Sequence, residues 1–102
     1  MYAPPLRIIF KLEDPGSFPV AMAVSVPKRL FKRAVDRNLL KRKIREAYRL
    51  NKRDLYNLLE HKNRTLHMLI QYQQREIVDF RTIEKGVLNG MAKLEEKLQE
   101  QV

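Results

Sequence analysis

The side chains best equipped for chemistry in this sequence lie in one basic run. Arg37, Lys41 and Arg45 follow at i, i+4 and i+8, and Asn38, Arg42 and Arg49 continue the same side of the run. On a helix turning 100° per residue they occupy an arc of roughly 140°. Like charges stacked this way repel one another unless an anion neutralises them. The anions that match such a ladder are nucleic-acid phosphates, which arginine can grip bidentately. Asn38 adds no charge, but its amide can hydrogen-bond a phosphate, a 2′-hydroxyl or a base edge. Lys28, Arg29, Lys32 and Arg33 lengthen the cationic track ahead of the run. Glu46 is spaced to pair with Arg42 or Arg49 and so orient the ridge.

The whole chain of 102 residues carries 21 Lys and Arg against 12 Asp and Glu, a formal charge of +9. Residues 28–53 alone hold twelve of those cations against Asp36 and Glu46, a balance of +10, which leaves −1 for the remainder. A merely solvated helix face would mix signs. A near-neutral body with one strongly cationic element instead implies a polyanionic partner. With no cysteine, a disulfide framework, a cysteine zinc site and a thiol nucleophile are excluded. His61 and His67 stand six apart, off any helical register, and the acids are scattered, so neither a metal centre nor a catalytic residue is expected. No apolar run approaches the roughly 18–20 residues of a membrane span. The N-terminus lacks the pattern of a secretory signal, and a cytoplasmic protein is expected.

The length allows a single domain, residues 1–102, burying roughly 60–70% of its unfolded surface. Leu6–Leu12 is rich in branched residues and partly alternating, with Arg7 and Lys11 marking a polar face; it reads as a strand. Glu13-Asp14-Pro15-Gly16-Ser17 reads as a turn. Val20–Val26 reads as a second strand, paired with the first in an antiparallel hairpin, its small residues suited to packing under a helix. The helix carrying the ridge runs from Arg33 to about Leu50, with Leu40, Ile44 and Ala47 inward, Val35, Leu39 and Leu50 widening the apolar side, and Tyr48 at its border. A short helix follows from Asp54, its cap, to about His61. Thr65–Tyr72 is a third strand. Thr82 caps a last amphipathic helix, Ile83–Gln99, in which Gly86 and Gly90 cost about 1 kcal/mol each but permit close approach of a neighbour. The order β-β-α-(α)-β-α makes an α+β domain, a small sheet with helices packed on it.

The segment Ala34–Arg49 resembles the Arg-Asn-x-x-Lys-Arg-x-x-Arg-Glu signature of the bacterial ribonuclease P protein component, matching at Arg37, Asn38, Lys41, Arg42, Arg45 and Glu46. The flanks Phe31–Asn38 and Glu46–Lys52 resemble the branch found in Bacteroides-like bacteria, and the likeness covers nearly the whole chain. It implies a protein that is not itself the catalyst: it binds a catalytic RNA through the signature helix and holds the 5′ leader of precursor tRNA in a neighbouring cleft. The RNA cleaves the leader with Mg²⁺ that the RNA mainly binds. Phe10 matches a position that the family fills with a cleft aromatic, able to stack a leader base. The implied fold is α-β-β-β-α-β-α with a left-handed crossover around the signature helix. Family members open with a basic stretch and a helix whose phenylalanines face the cleft, whereas this chain starts near the first strand. The resemblance therefore predicts a reduced leader surface, exposed apolar area where that helix would pack, and a homodimer through it. The loop Pro27–Arg33 lacks the family's usual glycine and looks one residue longer, so displaced contacts are expected there. Residues alone leave open a generic rRNA- or DNA-binding module with no part in cleavage.

Overall fold

A computed structural model describes residues 1–16 and 18–100. The elements are β1 (Tyr2–Ala3), β2 (Leu6–Glu13), β3 (Val20–Ser25), α1 (Ala34–Asn51), α2 (Arg53–Lys62), β4 (Thr65–Tyr72) and α3 (Phe80–Glu100). The four strands form one sheet in the order β1-β2-β4-β3. The expected α+β architecture stands, with one added strand: two-residue β1 turns through Pro4-Pro5 and pairs with β2.

The expected β2–β3 hairpin does not form. β4 lies between the two, antiparallel to β2 and parallel to β3. β4 is the most buried strand, with Thr65, Leu66, Met68, Ile70 and Tyr72 all buried, whereas only Val20 of β3 is buried and β2 carries Arg7, Lys11 and Glu13. Burial therefore favours β4 in the centre. The residues read as a turn span the end of the sheet instead. Thr65 Oγ1 accepts a hydrogen bond from the Gly16 amide (2.7 Å) and donates one to the Phe18 carbonyl (3.2 Å), and Arg64 Nε donates to the Glu13 carbonyl (2.8 Å). Ser17, the last residue of that turn, lies outside the described residues. The parallel β3–β4 pairing requires a long crossover, which α1 and α2 supply.

Strand alternation sends Leu6 and Ile8, Val20, and Leu66, Met68, Ile70 and Tyr72 to one face. There they meet Leu40, Ile44, Ala47 and Tyr48 of α1, Leu55 and Leu59 of α2, and Ile83, Val87, Met91, Leu94 and Leu98 of α3. No helix among the described residues covers the other face. Ala21 and Ala23 point to it, so the small residues of β3 do not pack under a helix. Val35 and Leu50 are 66% and 54% exposed and do not widen the apolar side of α1; Tyr48, expected at the border, is buried.

The helix ends differ from expectation in two places. Lys52, not Asp54, occupies the cap position of α2 and makes no capping side-chain bond. At α3 the Asp79 carboxylate, not Thr82, is the cap: its Oδ1 accepts from the Thr82 amide (2.9 Å) and hydroxyl (2.6 Å), which extends the helix back to Phe80. Asn63 closes α2 in the left-handed conformation at φ 55°, which asparagine tolerates. The two glycines of α3 do permit a close approach. A Cβ on Gly86 would stand 2.9 Å from Pro5 Cδ and 3.0 Å from the Pro4 carbonyl oxygen, and one on Gly90 would collide with the tip of Ile8. Lys93 Nζ reaches over this seat to the Tyr2 carbonyl (2.9 Å). The β1–β2 turn is thus set into a notch of α3, which fixes β2 against the core.

Candidate nucleic-acid interface

Burying Leu40, Ile44 and Ala47 forces the opposite side of α1 outward. Asn38, Arg42, Arg45 and Arg49 project there, all exposed, within an arc of roughly 60° on the wheel. Lys41 is half-buried on the flank of this arc. Among the described residues no carboxylate lies within ion-pair distance of Lys41, Arg42 or Arg45. Arg49 differs, because its Nη2 and Nε donate to the Glu46 carboxylate at 2.6 and 3.2 Å. That pairing holds the Glu46 carboxyl below its ordinary range and raises Arg49 further. Of the two partners open to Glu46 in the sequence, the structure selects Arg49.

The connection before α1 is built, not slack. The Leu30 and Phe31 amides donate to the Pro27 carbonyl at 3.1 and 3.2 Å. Phe31 is buried, and its ring lies 5.8 Å from that of Tyr72. Tyr72 is fixed in turn, donating its hydroxyl to the Glu76 carbonyl at 2.6 Å, and burial pushes its phenol up. With Phe31 as anchor, Lys28, Arg29, Lys32 and Arg33 are left exposed, in line with the start of α1. Arg37 stands apart from the outward arc. Half-buried, it turns its guanidinium back, and Nη1 donates to the carbonyls of Phe31 and Lys32, each at 2.8 Å.

The sheet face opposite the helices forms a second surface. Ile9 and Lys11 of β2, Ala21 and Ala23 of β3, and His67 and Leu69 of β4 line an open groove of about 390 Å³. Its far wall, β3, leads directly into the cationic connection. Phe10 borders the groove, but its half-buried side chain packs against the core cluster. Sequence reasoning gave His67 no place on this surface, although strict alternation from buried Leu66 and Met68 puts it there. Lys43 was also unassigned; it sits half-buried on the other flank of α1, near Asp79, whose carboxyl it helps hold low after the two Thr82 bonds.

The geometry defines a class: a small α+β domain with a cationic helix face on a crossover next to an open, partly apolar sheet face. The Ribonuclease P family model matches residues 3–95, and the chain belongs to that family. It is similar to the "Ribonuclease P protein component" of Porphyromonas gingivalis in two strains, 37% identical over 92 residues in one and 36% over 91 in strain W83. Each alignment covers 88% of this chain and 66% of the relative, so the chain spans just under two thirds of the length of these relatives. No solved structure matches the chain. Among the described residues, no helix is long and apolar enough to cross a membrane.

Proposed function

We propose that this chain acts as the protein subunit of ribonuclease P, binding the catalytic RNA and the 5′ leader of precursor tRNA while the RNA cleaves. The observation that carries this reading is the row of unpaired cations on α1 in a chain of this family. Lys41, Arg42 and Arg45, with Lys28, Arg29, Lys32 and Arg33, would each neutralise a phosphate and release a counterion. Seven such contacts correspond to a slope of log affinity against log salt of about −5 to −6. Asn38, neutral within the ridge, would bond a phosphate, a 2′-hydroxyl or a base edge. The groove offers the leader an apolar floor at Ile9, Ala21, Ala23 and Leu69 and a cation at Lys11.

Among the described residues no three His, Asp or Glu side chains come together as metal ligands. In this reading the Mg²⁺ of the reaction is bound mainly by the RNA. The protein contributes binding and orientation.

Reconstitution with the organism's catalytic RNA tests the proposal. The chain alone should not cut precursor tRNA, and adding it should raise RNA-catalysed leader removal at low Mg²⁺. Replacing Arg42 and Arg45 together by Ala should flatten the salt slope by about 1.4–1.8. Equal affinity for catalytic RNA, rRNA fragments and duplex DNA, with no gain in cleavage, would favour a generic nucleic-acid-binding module instead.

A further inference from the structure

Within the proposed interface Arg37 does something its neighbours do not. Arg42 and Arg45 are exposed, whereas both hydrogens of Arg37 Nη1 are committed to the carbonyls of Phe31 and Lys32. The side chain leaves α1 about 110° away from the centre of the outward arc. It is half-buried, where Asn38 and Arg42 on that arc are exposed.

The segment it holds needs holding. Lys28, Arg29, Lys32 and Arg33 crowd four like charges into six residues, and the cap position of α1, Arg33, makes no capping side-chain bond. Phe31 is buried in the core and Leu30 packs partly against it, but none of the four cations is anchored there. Released from Arg37, the carbonyls of residues 31 and 32 would lose their side-chain tie to the first turn of the helix, and charge repulsion would spread the loop.

We propose that Arg37 is a positioning residue. It braces the 28–33 connection against α1, so that loop cations and helix ridge meet RNA phosphates as one preformed surface. This rests on the RNA-binding reading above. Preorganisation of this kind improves binding without a new contact, because the ordering cost is met before association. A guanidinium whose Nη1 is already occupied also loses one of the two edges with which arginine grips a phosphate bidentately. The brace and a direct phosphate contact therefore make different predictions.

A double-mutant cycle on the salt dependence of binding to catalytic RNA separates them. The arms are Arg37→Ala, the pair Lys28→Ala/Arg29→Ala, and their combination. In the parent, the loop pair should account for about 1.4–1.8 of the slope. In the Arg37→Ala background the brace predicts that this share falls below about 0.5. Amide exchange in the free protein gives a readout that involves no RNA: protection at Leu30 and Phe31 should fall in the Arg37 variant. Should Arg37→Ala fail to fold, Arg37→Gln serves in the same cycle. Additive slopes, with Arg37 worth one contact and exchange unchanged, would overturn the brace and make Arg37 a phosphate ligand. Absence of salt-dependent RNA binding by the parent would overturn the RNA reading, and exchange would then decide the brace alone.

Discussion

Gly86 is the position where the structure predicts the opposite of what helix propensity predicts. In an exposed helix interior, Gly→Ala stabilises by about 1 kcal/mol. Here the new methyl would stand 2.9 Å from Pro5 Cδ, 3.0 Å from the Pro4 carbonyl oxygen and 3.3 Å from the Ala3 carbonyl oxygen. None of these is the end of a rotatable side chain: one is a ring atom and two are backbone. The β1–β2 turn must lift from α3, and overpacking of this kind costs typically 1–3 kcal/mol. The clash exceeds the propensity gain, leaving Gly86→Ala destabilised by about 1 kcal/mol. At the usual scaling for a domain of this size, that lowers the melting temperature by about 4–8 °C. Asn89→Ala, exposed on the same helix, is the control and should raise it by a few degrees. Circular-dichroism melts and urea titrations of the parent and both variants suffice. A Gly86→Ala protein that melts several degrees higher than the parent would refute the reasoning, showing that the turn is not seated in the notch.

Three further outcomes follow from the side chains. Asp79→Ala should lower the melting temperature at pH 7, because it removes both bonds to Thr82. The Asp79 carboxyl is held below its ordinary 3.8, so this stabilisation is fully present above that value and lost as pH falls through the lowered one. Parent and variant melts should therefore converge in strong acid, and a gap independent of pH would contradict the cap. Burial, and next the Tyr56 hydroxyl at 3.4 Å, push the Tyr48 phenol well above its ordinary 10.0. Tyr48→Phe should then leave the phenolate absorbance gained between about pH 9 and 11 unchanged, and a loss equal to one phenolate per chain would place Tyr48 in solvent. Glu46→Gln frees Arg49, so RNA binding should strengthen and its salt slope steepen by up to about 0.9; a weaker complex would mean that the ion pair orients the ridge.

Features set by local periodicity were legible in the sequence. The α1 pattern put Leu40, Ile44 and Ala47 inward and the cations outward, and β4 fell on Thr65–Tyr72 as read. Features set by distant partners were not. Nothing within β2 or β3 announces that β4 will separate them; that depends on the greater burial of β4 and on Thr65 latching the loop ends from 49 residues away. Tyr2–Ala3 is too short for any period, and only the notch in α3 gives it a place. The α3 cap is ambiguous in the sequence because Thr82 and Asp79 are both good capping residues, and Phe80 and Arg81 between them carry no distinguishing signal. The ridge was legible residue by residue, yet Arg37 looked like its neighbours because its targets are backbone carbonyls, which have no sequence signature.

The insertion of β4 between β2 and β3 also dictates when, during synthesis, the cationic surface acquires its shape. α1 is fully translated at Asn51, but the strand that pairs β3 and joins it to β2 is not complete until Tyr72. α3, which covers α1 and seats the first turn, comes last. Non-local pairing of this kind is slow, because chain closure must precede its reward. A nascent chain stopped before residue 65 would carry the ridge's whole charge but have neither a sheet to fix α1 nor Tyr72 to anchor Phe31. In the proposed function the cationic surface thus takes its shape only once β4 is made, and selectivity among RNAs, as opposed to attraction to any of them, would begin at that point.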